Sequence, residues 1–482
     1  MGLNYGNLSL HTDKYQINMM YAHWVNGSLH EKVVFEAYFR KLPFGNGYAV
    51  FAGLERIVDY MLHLQFTDED IDYLRQQEEG YAEGFLEELR RFKFSGDLYA
   101  VREGTLVFAH EPLIRVEASV FEAQLVETTL LNVMNYQTLI ATKASRIKQV
   151  AGGDTLLEFG TRRAQETDAA VWGARAAYIA GFDATSNLRA GMLFGIPTKG
   201  THAHSWVQHH DTEAEAFRKY ADAHPDHVSL LVDTYDTLGS GVPNAIRTAQ
   251  YLEGKGKRLQ SIRIDSGDIA YTSQVARKML DDAGLSYVTI IASNDLDENI
   301  IMDLKSQQAQ IDTWGVGTQL ITAADQPSLG GVYKLVARMK NGKYEPVIKI
   351  SGNLEKVTNP GVKEIFRLIN SKTGRAEADY LALREEGQAE AGDPINLIDP
   401  AHPLMNKVVR DYEAVALLHP IFRNGVCVYT LPSLAEIRQH HQDELRLFWP
   451  QYLRKSNPEI YRVHLSEAAL NLKMNLINKY RR

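Results

Sequence analysis

A chain of 482 residues, 45% of them apolar, is too long for a single hydrophobic core, and a balance of 52 Lys+Arg against 60 Asp+Glu with no basic block argues against a nucleic-acid binder. The one cysteine, Cys427, excludes an intrachain disulfide framework and a cysteine-rich metal site and fits a reducing compartment. Residues 1–10 lack a basic start and no segment approaches the ~18 apolar residues of a membrane span, so a soluble, unprocessed, cytoplasmic protein is expected.

Mixed periodicities fill the first 150 residues. Residues 33–39 alternate as a strand before the turn Pro43-Phe44-Gly45-Asn46-Gly47, and helical spacing then covers 52–64 and 68–92. Short strands return over 96–118, broken at Glu103-Gly104 and Glu111-Pro112. A long helix over 121–151 carries Leu125, Val126, Leu130, Val133 and Met134 on an apolar side and stops at Gly152-Gly153. Residues 1–150 therefore read as an α+β domain with a long connecting helix.

From there to about residue 350 the pattern is rhythmic: short apolar strands at 155–159, 228–232, 261–264, 288–291 and 313–316, with helices between them at 165–180, 212–223, 273–283 and 296–307. Repeated βα units imply parallel strands, in a barrel or an open doubly wound sheet, with function at the strands' C-terminal ends. Those ends read Gly160-Thr161-Arg162-Arg163 after Glu158, Asp233-Thr234-Tyr235-Asp236, Asp265-Ser266-Gly267-Asp268, Ala292-Ser293-Asn294-Asp295 and Gly317-Thr318-Gln319. Singly, each is explained by turns and helix caps; together they favour a ligand site.

The last segment, 351–482, reads as a mixed α/β extension packed on the barrel or on a partner subunit. A hairpin around Asn341-Gly342 precedes it; a turn-rich run over 351–363, an acidic loop near 385–393 and helices at 433–448 and 466–480 follow.

The stretch Gly200-Thr201-His202-Ala203-His204-Ser205-Trp206, preceded by Lys199, is dense in hydroxyls and imidazoles. It suits a phosphate, and equally a solvated loop. Arg263 lies inside the apolar strand Ile262-Arg263-Ile264, where it needs a ligand or a buried ion-pair partner. Asp265 and Asp268 could hold ribose hydroxyls or Mg²⁺, with helix capping as the plainer role for Asp268. Gly315-Val316-Gly317-Thr318 could offer close backbone amides to a phosphate or simply make a tight turn. Carboxylates, phosphate-binding amides, cations and an aromatic pocket are what the displacement of pyrophosphate from a phosphorylated sugar by a ring nitrogen requires.

Taken in order, Thr12-Asp13-Lys14-Tyr15-Gln16, Glu158-Phe159-Gly160-Thr161-Arg162-Arg163, Gly200 to Trp206, Arg263-Ile264-Asp265-Ser266-Gly267-Asp268 and Gly315-Val316-Gly317-Thr318 resemble the nicotinate phosphoribosyltransferase family. The resemblance spans most of the chain and is weakest around 385–395 and in the last ~60 residues. It implies an irregular α/β barrel of the type II phosphoribosyltransferase kind, with an α+β N-terminal domain and a C-terminal extension, in a homodimer with shared active sites. It further implies that nicotinate and phosphoribosyl pyrophosphate give nicotinate mononucleotide and pyrophosphate in NAD salvage, coupled to ATP hydrolysis in a ligase-class reaction with Mg²⁺.

By the same resemblance, His204 is the histidine phosphorylated by ATP, and Tyr15, reaching from the partner subunit, sandwiches the pyridine ring with Phe159. Arg263 lies near the base carboxylate and Arg162 near the phosphates; Asp265 faces the ribose, and Gly317 and Thr318 cradle the 5′-phosphate. Thr185 and Ser186 are carried over as substrate-binding residues, and Ser186 stands where nicotinamide-using relatives have an aspartate; a serine can donate to a carboxylate that an aspartate would repel. The residues alone leave plainer readings open: Tyr15 as a helix residue, Phe159 as core, Ser186 as a turn residue. His202 and Lys199 receive no role. A nicotinamide enzyme and a non-catalytic nucleotide-binding barrel remain as alternatives.

Overall fold

The computed structural model describes residues 7–353, 356–387, 394–398 and 407–480. The chain divides into two compact units, one formed by 1–142 together with 328–482 and the other by the continuous stretch 143–327. Among the described residues no helix is long and apolar enough to cross a membrane.

The first unit is built on an antiparallel sheet whose central strand, Lys32–Phe39, pairs with Ile114–Ser119 on one side and Gly331–Lys340 on the other. The alternation expected over 33–39 gives way to burial of every residue after Lys32, because both faces of this strand are covered. Glu36 is thereby enclosed, and Lys363 answers it with Nζ 3.0 Å from the carboxylate. Burial still holds the Glu36 carboxyl above its ordinary pKa.

The hairpin forms at Asn341-Gly342, both with positive φ, between Gly331–Lys340 and Lys343–Pro346. The single helix expected over 68–92 is two, Asp68–Arg75 and Glu83–Arg90, parted at Gly80, whose φ of 59° a helix cannot accept. The long helix appears as Val120–Leu125 and Glu127–Ala151. A second sheet runs Tyr412–Ala416, Lys363–Asn370, Ala376–Leu383, Val463–Leu465, and helices Leu434–Leu447 and Glu467–Tyr480 complete this unit. The acidic loop read at 385–393 lies largely outside the described residues.

The second unit holds six parallel strands: β1 (Thr155–Glu158), β2 (Ala184–Thr185), β3 (Val228–Leu231), β4 (Leu259–Ile264), β5 (Thr289–Ala292) and β6 (Thr313–Val316). They lie in the order β2-β1-β6-β5-β4-β3. The repeated βα units thus form one parallel sheet, as the rhythm of the sequence implies. Helices Glu166–Ile179, Glu213–Ala223, Ile269–Asp282 and Glu298–Ser306 connect the strands; the last three start at side-chain caps from Thr212, Asp268 and Asp297. Capping therefore explains Asp268, as its plainer reading required. The remaining polar strand ends converge on the C-terminal edge of the sheet.

Candidate active site

Arg263, near the end of β4, holds the centre of this edge. Its Nε donates to Ser293 Oγ at 2.8 Å, its Nη1 to Thr201 Oγ1 at 3.0 Å and its Nη2 to Asp265 Oδ1 at 2.9 Å. The guanidinium is thus paired with Asp265, and all three directions of its fork are fixed. Its carbon lies 5.7 Å from the centre of the Phe159 ring. Phe159 follows β1 and is locked to β6 by its amide, which donates to Val316 O at 2.8 Å.

A cavity of about 420 Å³ runs from Phe159 and Thr201 past Leu157, Ser261 and Ile291 to Thr155, Thr289 and Thr313 at the starts of the strands. Phe159 and Thr201, at one end of this cavity, both touch Arg263, so an aromatic face and a fixed cation meet there.

His204 opens the short helix His204–Gln208. Its Nδ1 lies 3.1 Å from Thr234 Oγ1, while Nε2 faces two carboxylates, 4.0 Å from Asp233 Oδ1 and 3.9 Å from Asp265 Oδ2. Asp233 is the sharper of the two. Its Oδ2 accepts from Asp265 N at 2.8 Å and Ser266 Oγ at 2.7 Å, which binds the ends of β3 and β4 together. Its Oδ1 is buried and has no hydrogen-bond partner among the described residues. An unpaired carboxylate oxygen in a dry position is costly, and here it points at an imidazole nitrogen.

Glu158 ends β1, and burial holds its carboxyl above the ordinary value. It accepts from Thr185 Oγ1 at 2.5 Å and from Gly160 N, and Ser186 N donates to its backbone carbonyl at 2.9 Å. Thr185 is buried against Glu158, whereas Ser186 is exposed. Arg162 is exposed in the turn Thr161–Arg163, with no ion pair among the described residues, free to meet an anion. Gly317 and Thr318 are half-buried where β6 passes into the short helix Thr318–Ile321.

Geometry therefore joins His204, Asp265, Arg263 and Phe159 in one chain of contacts, with Thr185 and Ser186 on Glu158 at the end of β1. Tyr15, 49% exposed in the helix Lys14–Val25, belongs to the other unit. Asp233, Thr201, Ser293 and Thr234 carry no role in the sequence reading. For Asp233 a signal was present, since it directly follows an apolar strand as Asp265 does. Among the described residues no group of three or more His, Cys, Asp or Glu is arranged to hold a metal unaided.

A parallel sheet with these groups at its C-terminal edge defines a type II phosphoribosyltransferase. The family model described as nicotinate phosphoribosyltransferase N-terminal domain matches residues 10–135, and that of the C-terminal domain matches 362–473. The chain is 54% identical to the nicotinate phosphoribosyltransferase of Bacillus subtilis over 99% of its length and 97% of that protein's. It is 34% identical to the human one over 95% and 94% of the two chains.

The solved structure of human nicotinic acid phosphoribosyltransferase superposes with a TM-score of 0.86 at 32% identity, covering 96% of this chain and 99% of that one. A nicotinate-nucleotide pyrophosphorylase from Pyrococcus furiosus, 22% identical with a TM-score of 0.69 over 95% and 100%, shares the fold. The chain belongs to the nicotinate phosphoribosyltransferase family.

Proposed function

We propose that this protein transfers the phosphoribosyl group of phosphoribosyl pyrophosphate to the ring nitrogen of nicotinate in NAD salvage, releasing pyrophosphate, and that ATP drives the reaction through a phosphohistidine at His204. The observation that carries this reading is the contact chain from Phe159 through Arg263 and Asp265 to His204. Phe159 offers a face to the pyridine, with Tyr15 as the second face in a homodimer, and Arg263 offers a cation to the carboxylate; Ser186 can add a hydrogen bond and does not repel it. Asp265 would face the positive charge that develops on the ribose as the bond to pyrophosphate breaks, and Arg162, Gly317 and Thr318 would receive phosphate oxygens.

In the ATP half-reaction, His204 Nε2 attacks the γ-phosphorus, the bond to the β-phosphate oxygen breaks, and ADP leaves. Thr234 supports this, because an Nδ1–H donated to its hydroxyl leaves the lone pair on Nε2. Water later takes the phosphoryl group as phosphate. The two carboxylates facing Nε2 would repel an incoming phosphate, and the orphaned Asp233 Oδ1 is a hard oxygen donor suited to Mg²⁺. Asp233 and Asp265 would hold that ion, which when bound neutralises phosphate charge; one or two carboxylates plus substrate phosphates is its usual set.

The test supplies phosphoribosyl pyrophosphate and Mg²⁺ with nicotinate or nicotinamide, with and without ATP. Nicotinate mononucleotide formed faster with ATP is the expected result. Equal use of nicotinamide would sink the substrate assignment.

A further inference from the structure

The parallel sheet leaves two edges, β2 and β3, and the segment ahead of His204 reaches both. At β2 the contacts are backbone: Thr185 N donates to Pro197 O and Lys199 N to Thr185 O, each at 3.0 Å, with a parallel bridge between Thr185 and Thr198. At β3 the contact is a side chain, since Leu231 N donates to His202 Nε2 at 3.1 Å. Val232 N turns inward to Arg263 O at 3.1 Å, so the Leu231 amide points outward, to the edge. Leu231 is 1% exposed, and without an acceptor there its N–H would be buried unpaired.

His202 is built for this one task. The N–H it receives requires a bare Nε2, which leaves the proton on Nδ1, 3.3 Å from Ala203 O. Its ring lies edge-on to Tyr220 at 4.9 Å and near Phe217 at 6.1 Å, and only 7% of the residue is exposed. Burial lowers its pKa to about 4, so it is neutral at ordinary pH.

We infer that residues 197–202 close the sheet as its last stave, and that His202 is a positioning residue whose Nε2 replaces the strand carbonyl missing at the β3 edge. The latch lies next to Thr201, which accepts from Arg263 Nη1, and two residues before His204. On its other side Leu231 leads directly to Asp233 and Thr234, the groups that face His204. One hydrogen bond therefore sets the spacing between the imidazole and its partners.

The test compares His202→Phe, which fills the space without an acceptor, with His202→Gln, whose amide oxygen can accept; His202→Leu replaces the first if it does not fold. Amide hydrogen exchange at Leu231 is expected to speed up about tenfold or more in the Phe variant and to stay near the original rate in the Gln variant. Transfer of label from γ-labelled ATP to His204 should fall by about tenfold in Phe, with KM for phosphoribosyl pyrophosphate unchanged, and recover in Gln.

The label readout rests on the proposed phosphohistidine; the exchange readout does not. An unlabelled His204 in the unsubstituted protein removes the phosphohistidine reading and leaves exchange to decide the latch. Unchanged exchange at Leu231 in the Phe variant, or equal losses in Phe and Gln, overturns the role given to Nε2.

Discussion

Gly315 lies against the ring of Phe159: a Cβ at position 315 would stand 2.6 Å from Phe159 Cδ2 and 2.7 Å from Cε2. The ring is a large neighbour anchored through its own backbone, so it cannot yield cheaply. Gly315→Ala should therefore push Phe159 away from Arg263. Nicotinate KM is expected to rise about tenfold, a loss of ~1.4 kcal/mol of binding, with a smaller change in kcat. Steady-state kinetics at saturating phosphoribosyl pyrophosphate check this; an unchanged KM would remove Phe159 from the base pocket.

His204→Ala should abolish acid-labile label from γ-labelled ATP while leaving slow, ATP-independent synthesis of mononucleotide. Asp265 and Arg263 remain paired without the imidazole, so the transfer site survives the substitution. Undiminished label, or label on another residue, would refute the role of His204.

Asp233→Asn preserves the shape but not the charge of the group facing His204. Its Oδ2 accepts from Asp265 N and Ser266 Oγ, and an amide oxygen can keep those two bonds. The amide nitrogen then replaces the bare Oδ1. We expect the Mg²⁺ concentration for half-maximal ATP hydrolysis to rise by about tenfold or more, with the melting temperature nearly unchanged. A magnesium titration showing no shift would place the ion elsewhere.

His202 also predicts an acid limit to stability. Its folded pKa, about 4, is below the ordinary 6.5, so the unfolded chain binds the proton more readily. The stability this contributes is present above 6.5 and is lost as pH falls from there towards 4, by up to about 3 kcal/mol. Half-buried His419 and buried His441, also held near 4, act in the same direction, as does His440, whose pKa burial lowers as well. Thermal melts between pH 7 and 4 should fall less steeply in His202→Phe than in the original chain; equal slopes would assign the acid sensitivity to the other histidines.

Five of the six parallel strands were legible because each is a short apolar run that leads into Gly, Ser, Thr or Asp, and that punctuation also located Arg263 and Asp265. What composition could not give was direction. Arg263 had a ligand or a buried ion pair open to it, and only the fold shows the pairing with Asp265. Asp233 looked like its neighbours in the sequence; its bare Oδ1 is a property of packing. His202 received no role from the sequence, because its task, accepting the Leu231 amide, depends on a contact 29 residues away that packing creates. The two-residue β2 is too short for any periodicity, and the burial of Glu36 depends on a lysine more than 300 residues away.

The pairing of Val33 with Arg338 has a consequence for synthesis. The strand Lys32–Phe39 is made early, yet one of its two neighbours does not exist until Gly331–Lys340 has been translated. Residues 143–327, being continuous, have all their strands available before that moment. On the ribosome the parallel-sheet unit can mature first, while the amino-terminal strand waits with an open apolar edge. The first sheet is then completed only when the chain returns to its own beginning, and until that moment the early strand edge is open to pairing with another chain.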